Sequence, residues 1–304
     1  MKKRAVSSLL ASLAVVSFIL PALAADAPEL EETFPVSVEE TVEWAPFLVD
    51  GEPRQSVEYE NRNGVTYVTV SSFVSMLDPE AMVEEENGAV TVNAARVSQV
   101  EDGSGNTATV VEETLNLTVQ AGASYIVANG RYLYAKGSLI LLNNSVAAPV
   151  RLLARVFNLD VGYDGENGTV VLNHIGEGAY LLPGDSYYNG DTLYWLSRII
   201  NAESGNQILE GKIAVGNVVM NRVNSPKFPD NIYDVLYQKN QFSPASSGSL
   251  KRTPNEESVI AAKLVLDGAQ VVPTALFFSR AGLSCYASRN RPYVTTIGAH
   301  AFYA

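Results

Sequence analysis

An internal repeat constrains the first half of this 304-residue chain more than any other feature. Val70–Val92 and Val150–Leu172 align without a gap at an offset of 80 residues, with VSSFVSMLDPEAMVEEENGAVTV lying over VRLLARVFNLDVGYDGENGTVVL. Self-similarity at a fixed offset indicates repeated supersecondary units. Each copy is predicted to contain strand, turn, strand, one short helix and a hairpin closed on Asn-Gly. The sequence thus predicts a duplicated α+β domain over residues 44–175.

The first 24 residues are predicted to be a secretory signal peptide. A basic start (MKKR) precedes an apolar run, Leu9–Leu20, and a small-x-small cleavage site, Ala22–Ala24. An uncleaved anchor is the alternative, although the apolar run is short for a bilayer span. Residues 25–43 are acidic and contain Pro, which indicates a flexible leader. We therefore expect an exported protein with no stable membrane span after cleavage.

Charge and cysteine content exclude several classes of protein. The net charge is −12, which disfavours binding to nucleic acid because phosphate contacts require a basic surface. Cys285 is the only cysteine, so no internal disulfide can form. The histidines are His174 and His300, too scattered with Cys285 for a zinc site, and we predict no metal and no cofactor. The oligomeric state stays open.

The pattern becomes helical after a Gly/Pro/Tyr-rich segment, residues 176–190, which is predicted to be a linker. Asp191 is the predicted N-cap of a first helix. The run NQILEGKIAVGNVVMNRV is apolar nearly all round and predicts a central helix, in which Gly211 and Gly216 allow neighbouring elements to approach closely. NEESVIAAKLVLDG predicts a third helix that ends at Gly268. The last residues predict a small hairpin.

Glu203 is the candidate for chemistry. Leu193, Leu196 and Ile200 form one stripe of the first helix, and the next position on that stripe is Glu203. A carboxyl group at the mouth between apolar helices is partly desolvated, which favours its neutral form and suits a general acid. The alternative is a surface Glu in the last turn of a helix.

Two resemblances to known families follow from these motifs. APVRLLARVFNLDVGYDGENGTVVL resembles the copper amine oxidase N-terminal-like domain of exported proteins, a likeness that does not imply copper because clustered His or thiolate ligands are lacking. Asp191–Ala304 resembles the SleB-type spore cortex-lytic, or cell wall hydrolase, catalytic domain. The matching pieces are AESGN, EGKIAVGNVVMNRV, SPKFPDNIYDVLYQ, QFS, ALFF and IGAHAFY. Ser204 and the stretch SRAGLSCYASRNRPYVTT depart from that family's pattern.

The second resemblance implies a small α-rich, lysozyme-like domain over residues 191–304 that acts on peptidoglycan. Its single catalytic acid matches Glu203, and its activity is that of a lytic transglycosylase cleaving the bond from N-acetylmuramic acid to N-acetylglucosamine. A hydrolytic glycosidase is the first alternative, since Asp230 and Asp234 are sequence candidates for a second acid, although both resemble loop and helix-cap residues. A non-catalytic wall-binding or structural protein is the second alternative. The substrate is spore cortex or vegetative wall, and the expected location is the wall or spore envelope.

The same resemblance suggests residues that contact the glycan. Asn217 and Asn221 lie on one polar stripe of the central helix; we expect Asn217 to be a core amide, whereas Asn221 either binds an N-acetyl group or orients a loop. The predicted substrate-binding residues are Asn221, Gln241, Phe242, Ser243, Phe278 and His300. A thiol-protease pair of Cys285 and His300 is disfavoured, because LSCYAS has no helix-start signal.

Overall fold

A computed structural model describes residues 43–101, 107–239 and 241–304. It is a mixed α+β structure, as the sequence predicts. The predicted signal peptide and all but the last residue of the predicted leader lie outside the described residues. Among the residues described, no helix combines the length and apolar character that crossing a bilayer requires.

The N-terminal segment, up to residue 174, consists of strands and two short helices. Type I′-like turns with positive φ at Asn87 and Gly88 close the first predicted hairpin, which is the backbone conformation that Asn-Gly favours. The elements are β1 (Glu43–Val49), β2 (Glu52–Arg62), β3 (Val65–Thr69), α1 (Val70–Leu77), β4 (Met82–Glu86), β5 (Ala89–Glu101), β6 (Thr107–Gln120), β7 (Tyr125–Ala128), β8 (Arg131–Tyr134), β9 (Ile140–Leu142), β10 (Ser145–Pro149), α2 (Val150–Val156), β11 (Leu159–Asp164) and β12 (Thr169–His174).

Strands from the first and second halves of this segment pair with one another in shared sheets. Hairpin β11–β12 joins β1 through a parallel pairing of β12 with β1, and hairpin β4–β5 joins β7–β8 through β6. Among the described residues the sheet orders are β11-β12-β1-β2-β3-β10-β9 and β4-β5-β6-β7-β8. Phe73 of α1 is fully buried and makes edge contacts with Phe47 at 6.0 Å and Phe157 at 6.2 Å. Both halves therefore share one core.

The C-terminal segment packs helices against a small sheet. Gly216 of the central helix allows close approach, as predicted, since an added Cβ would lie 2.9 Å from side-chain atoms of Ile200 and Val265; Gly211 instead faces Gln207, just before its own helix. The elements are α3 (Gly184–Tyr187), α4 (Gly190–Ser204), α5 (Leu209–Val223), α6 (Ile232–Tyr237), α7 (Ser243–Ser247), α8 (Glu256–Leu266), β13 (Phe277–Arg280), α9 (Tyr286–Asn290), β14 (Tyr293–Ile297) and β15 (His300–Tyr303). The sheet order is β13-β15-β14, and β14–β15 is the predicted hairpin.

The predicted N-cap of the first long helix is wrong by two residues. Asn189 caps α4, because its Oδ1 accepts the Thr192 backbone N–H at 2.9 Å and the Thr192 hydroxyl at 3.1 Å. Asp191 lies in the first turn instead. Both residue types favour the cap position, and the stripe of apolar residues does not fix the start of a helix to one residue.

The segment predicted to be a linker, residues 176–190, packs against the N-terminal core. Tyr180 and Leu181 are buried there, and the Tyr180 hydroxyl donates a hydrogen bond to Asp78. Asn129 Nδ2 donates to the Leu181 carbonyl oxygen at 2.9 Å. Burial of these apolar side chains accounts for the ordered backbone of a segment rich in turn-forming residues.

A buried polar cluster joins the N-terminal strands to the C-terminal helices. Asp267, directly after α8, is fully buried and accepts hydrogen bonds from Arg131 of β8, including Nε at 3.1 Å, and from the Tyr188 hydroxyl. Arg155 of α2 donates to the Asp267 carbonyl oxygen at 3.2 Å. The Tyr187 ring lies 3.3 Å from the Arg131 guanidinium carbon. The described N-terminal and C-terminal elements thus contact each other directly.

Candidate functional site

Glu203 lies in the last turn of α4, at the end of the predicted apolar stripe. Leu196 and Ile200 on that stripe are fully buried, and Glu203 itself is half-buried. The helix ends directly afterwards at Gly205, where an added Cβ would lie 2.5 Å from the Asn201 carbonyl oxygen. A side chain at position 205 would therefore clash with the backbone of the last helical turn.

Burial raises the pKa of the Glu203 carboxyl group above its ordinary value. Within the described part of the chain, that carboxyl group has no hydrogen bond and no ion pair with another protein group. Arg198, on the same helix, stacks on Tyr194 with its guanidinium carbon 3.6 Å from the ring centroid, and Lys212 is paired with Glu257. No described cation therefore offsets the desolvation, and the neutral acid is favoured.

Arg222, next to Asn221 on α5, makes no ion pair with Glu203 among the described residues. Its Nε donates to the Leu276 carbonyl oxygen at 2.7 Å instead. The guanidinium carbon lies 4.9–5.3 Å from three ring centroids, those of Phe228, Phe242 and Phe277. Burial lowers the pKa of Arg222 to about 10. An aromatic enclosure, rather than a carboxylate, holds this cation.

The turn after Glu203 is fixed by side chains that the sequence analysis did not identify. Asn201 Oδ1 accepts the Asn255 N–H at 3.0 Å, and Asn255 Nδ2 donates to the Gly205 carbonyl oxygen at 3.0 Å. Gln207 Oε1 accepts the Ala299 N–H at 2.9 Å, which brings the tip of hairpin β14–β15 to this turn. The sequence Asn-Glu-Glu is a helix-start signal that could have identified Asn255, whereas no local pattern marks Gln207.

Three of the predicted glycan-binding residues form one aromatic cluster. The Phe278 centroid lies 6.4 Å from that of Phe242 and 5.3 Å from that of His300. Burial lowers the pKa of His300, and its buried Nδ1 has no hydrogen-bond partner among the described residues. Phe242 is almost fully buried, so it packs in the core rather than presenting an open sugar platform. Burial therefore favours the neutral form of the His300 imidazole.

Gln241 and Ser243 flank Phe242 on the surface. Both are exposed, and the three residues line a cavity of about 430 Å³ together with the end of α6 and the start of α7. The Gln241 backbone N–H donates to the Gln238 carbonyl oxygen at 3.2 Å. The Gln241 side chain makes no hydrogen bond with another described residue. Within those residues, no hydrogen bond or ion pair links this cavity to Glu203.

Asn217 and Asn221 both hold the loop that follows α8. Asn217 Nδ2 donates to the Ala269 carbonyl oxygen at 2.7 Å, and its Oδ1 accepts the Val271 N–H at 2.9 Å, so it is the core amide that we expected. Asn221 Nδ2 donates to the carbonyl oxygens of Val272, at 3.1 Å, and Ala275, at 3.0 Å. Of the two roles left open for Asn221, the loop contact is the one seen.

We expect Asn221→Ala to lower the free energy of unfolding by about 1–3 kcal/mol, since two buried carbonyl oxygens lose their donor. Urea denaturation followed by circular dichroism measures this change. Asn217→Ala is the matched comparison and is expected to cost at least as much, because Asn217 also accepts backbone N–H groups. If Asn221→Ala were as stable as the wild type but had an increased KM, Asn221 would instead be assigned to substrate binding.

The candidates for a second acid, Asp230 and Asp234, lie on either side of the N-cap of α6. Asn231 caps α6, with its Oδ1 accepting the Asp234 N–H at 2.9 Å and its Nδ2 donating to the Asp234 carboxylate at 2.8 Å. Asp230 and Asp234 are both exposed. Neither shares the desolvated surroundings of Glu203.

Cys285 opens a helix, contrary to our prediction. It is the N-cap of α9, and its backbone N–H donates to Ser288 Oγ at 2.8 Å. Hydrogen bonds, first of all with the Ser288 backbone, lower the pKa of the Cys285 thiol to about 7. The Cys285 side chain packs with Ala301 and Tyr303 on one face of the small sheet. His300 alternates with Ala301 along β15 and therefore faces the other side, with Phe302. A catalytic Cys–His pair is excluded on this geometry.

The described residues contain no group of three or more His, Cys, Asp or Glu side chains arranged to hold a metal ion. His174 Nδ1, at the C-terminal end of β12, lies 2.6 Å from an Asp50 carboxylate oxygen. The segment from residue 48 to residue 172 contains neither His nor Cys, so its side chains do not fit a copper ion.

Comparison with known proteins gives matches to two families. Residues 206–303 match the family model described as Cell Wall Hydrolase, and residues 48–172 match the one described as Copper amine oxidase N-terminal domain. The cell wall hydrolase match begins three residues after Glu203 and does not include it. A role for Glu203 therefore has to be inferred from the surroundings of its carboxyl group.

Similar proteins include spore cortex-lytic enzymes of several bacilli. That of Halalkalibacterium halodurans is 27% identical over 116 residues, which cover 38% of this chain and 35% of the relative. That of Bacillus subtilis is 25% identical over 116 residues, covering 38% of each protein, and that of Bacillus cereus is 26% identical over 118 residues, covering 38% and 45%. The chain thus spans less than half the length of these relatives.

Solved structures are similar to the same region. The catalytic domain of the germination-specific lytic transglycosylase SleB from Bacillus anthracis is 25% identical, with a TM-score of 0.37, and the match covers 40% of this chain and all of that domain. The SleB catalytic domain of Bacillus cereus gives 25% identity and a TM-score of 0.37 over 42% of this chain. Both family resemblances predicted from the sequence are confirmed by the family models: a cell wall hydrolase domain toward the C-terminus and a copper amine oxidase N-terminal domain upstream of it.

Proposed function

We propose that this protein is an exported peptidoglycan-degrading enzyme that cleaves the bond from N-acetylmuramic acid to N-acetylglucosamine as a lytic transglycosylase. The observation that carries this proposal is the state of Glu203: half-buried, unpaired among the described residues and raised in pKa by burial. It lies next to a segment that matches a cell wall hydrolase family. The spore cortex-lytic relatives favour wall or cortex glycan as the substrate.

One acid suffices for this reaction. Neutral Glu203 donates its proton to the glycosidic oxygen, and the bond from that oxygen to the muramic C1 breaks. The Glu203 carboxylate then accepts the proton of the same sugar's 6-hydroxyl group while O6 bonds to C1. The products are a free 4-hydroxyl on N-acetylglucosamine and a 1,6-anhydro sugar. The acid is neutral again, and no second carboxylate or positioned water is needed.

Analysis of the ends released from purified sacculi tests the proposal. Anhydro ends are expected from the transglycosylase. Reducing ends would identify a hydrolytic glycosidase, the alternative in which a second carboxylate activates water. The absence of any product, with retained binding to sacculi, would identify a non-catalytic wall-binding protein. Sacculi from spores and from growing cells, used side by side, distinguish cortex from vegetative wall.

Activity is expected to fall as pH rises, because Glu203 acts in its protonated form. Since burial raises the pKa of Glu203, this alkaline limb is expected at a higher pH than the ordinary titration range of an exposed Glu. The rate of glycan release, measured against pH, gives the position of this limb. Carboxyl NMR of labelled Glu203 reads the titration directly. In Arg222→Met the Glu203 titration is expected to stay in place, since Arg222 is held by Leu276 and aromatic rings. A limb at or below the range of an exposed Glu would contradict a burial-tuned acid.

We further propose the domain organisation and the remaining site residues. Residues 44–175 form a duplicated non-catalytic domain, a proposal supported by β3–α1 and β10–α2, which lie 80 residues apart in the same order. Residues 191–304 form the catalytic domain, residues 176–190 connect the two, and residues 1–24 direct export to the wall or spore envelope. Gln241, Ser243 and His300 contact the glycan, and Phe242 and Phe278 support them from the core side.

A further inference from the structure

A second cavity, of about 420 Å³, lies in the N-terminal segment, away from Glu203. It opens where α2 meets the ends of β3, β8 and β11. Its polar walls come from six side chains on these elements or, for Lys136, just after β8: Thr66, Tyr134, Lys136, Arg151, Arg155 and Tyr163. A concave site of this size, with a few polar groups converging on it, has the dimensions of a small-ligand pocket.

The charge of this cavity is opposite to that of the protein. Lys136, Arg151 and Arg155 line it and no acidic residue does, although the chain carries 33 acidic against 21 basic residues. Arg151 and Arg155 are four residues apart on α2, which places them on one face of the helix. In an acidic protein, three cations without a lining carboxylate form a local site for an anion.

These cations keep most of their binding capacity. Lys136 is exposed and has no hydrogen bond or ion pair with another described residue. Arg151 uses one Nη1–H group on the Val161 carbonyl oxygen, at 2.7 Å. The Arg155 side chain is 44% exposed, and its Nη2 lies 3.6 Å from an Asp267 oxygen that Arg131 already contacts closely. The remaining guanidinium N–H groups match the geometry of a carboxylate.

Two tyrosines give the cavity an amphipathic wall. Tyr163 of β11, an outermost strand of the described sheet, is 68% exposed, so its ring is open to a ligand. Tyr134 of β8 is half-buried on the side that faces the C-terminal helices. A flat ring with a hydroxyl group at its edge offers both apolar contact and a hydrogen bond, which suits a ligand that is itself part apolar and part polar.

We propose that this cavity binds the carboxylate-bearing peptide that branches from muramic acid, so that the N-terminal domain holds wall polymer beside the catalytic domain. The peptide carboxylates contact Lys136, Arg151 and Arg155, and the sugar and the apolar peptide side chains lie on the tyrosine rings. This rests on the proposed function for the choice of polymer. The contact of Arg155 with Asp267 places the site at the edge of the catalytic segment.

The test is a calorimetric titration of the full-length chain with N-acetylmuramyl dipeptide bearing free carboxylates, with its fully amidated form and with a glycerol phosphate oligomer. We expect the free-carboxylate form to bind, and the amidated form to bind about tenfold or more weakly. Lys136→Glu should lose about tenfold or more in affinity, and Tyr163→Ser should lose affinity without a change in salt dependence. Lys251→Glu, an exposed lysine outside the cavity, is the control and should bind within about twofold of wild type.

Equal binding of the amidated form, no effect of Lys136→Glu, no binding by the wild type, or tighter binding of the phosphate oligomer would each overturn the proposal. The dipeptide probe contains no bond between the two amino sugars, so its binding is independent of cleavage. Failure here therefore leaves the transglycosylase proposal standing, and failure of the cleavage assay does not affect this result.

Discussion

Glu203→Gln is expected to fold normally and to lose peptidoglycan cleavage by about 10³-fold or more, because an amide cannot protonate a leaving oxygen. No described hydrogen bond or ion pair is lost with the carboxyl group. Its raised pKa means that the folded protein binds the proton more tightly than the unfolded chain. Wild-type stability therefore falls as pH rises from the unfolded-state pKa through the folded-state pKa. The glutamine variant is expected to be as stable as wild type, or more stable, above that window.

The rate of release of anhydro sugars from purified peptidoglycan measures the first effect, and urea denaturation at several pH values measures the second. Glu256→Gln is the control, since Glu256 is exposed in the first turn of α8 and makes no described ion pair; we expect it to retain wild-type activity within about twofold. A Glu203→Gln enzyme within about tenfold of wild type would end the single-acid mechanism.

The position of the acid was predictable from the sequence because it depends on local periodicity. Leu196 and Ile200 mark the buried side of α4, and three more residues along that side lead to Glu203. Gly216 was predictable for a similar reason, since a glycine inside an apolar helix indicates close packing. Both depend on spacing along one helix, which sequence alone determines.

Contacts between distant segments were not predictable in this way. Gln207 and Ala299 are far apart in sequence, and so are Arg131 and Asp267, yet each pair is joined by hydrogen bonds. Nothing in the neighbouring residues marks Gln207 as the partner of a hairpin tip. The prediction that LSCYAS contains no helix start was wrong, because Cys285 is the N-cap of α9. Cys285 and His300 lie on opposite faces of the small sheet because of alternation along β15, which the local sequence LSCYAS does not reveal.

Asp267 links the N-terminal strands to the C-terminal helices, and its replacement by alanine is expected to have the largest effect on stability. Asp267 is fully buried, and the side chain of its partner Arg131 is only 6% exposed. Asp267→Ala would leave the Arg131 charge buried without a carboxylate and the Tyr188 hydroxyl without its acceptor. Removing one partner of a buried ion pair costs about 3–5 kcal/mol. We therefore expect a loss of this size in the free energy of unfolding of the full-length chain.

Urea denaturation followed by circular dichroism measures this loss. A double-mutant cycle with Arg131→Met separates the pair from other effects: since the double variant no longer contains an unpaired buried charge, it is expected to be more stable than Asp267→Ala alone. Asp160→Ala, at an exposed aspartate on β11, is the control and should change stability by less than about 0.5 kcal/mol. If Asp267→Ala cost no more than this control, the buried pair would not couple the two segments. The N-terminal strands would then be a tethered spacer rather than part of one folded unit with the C-terminal helices.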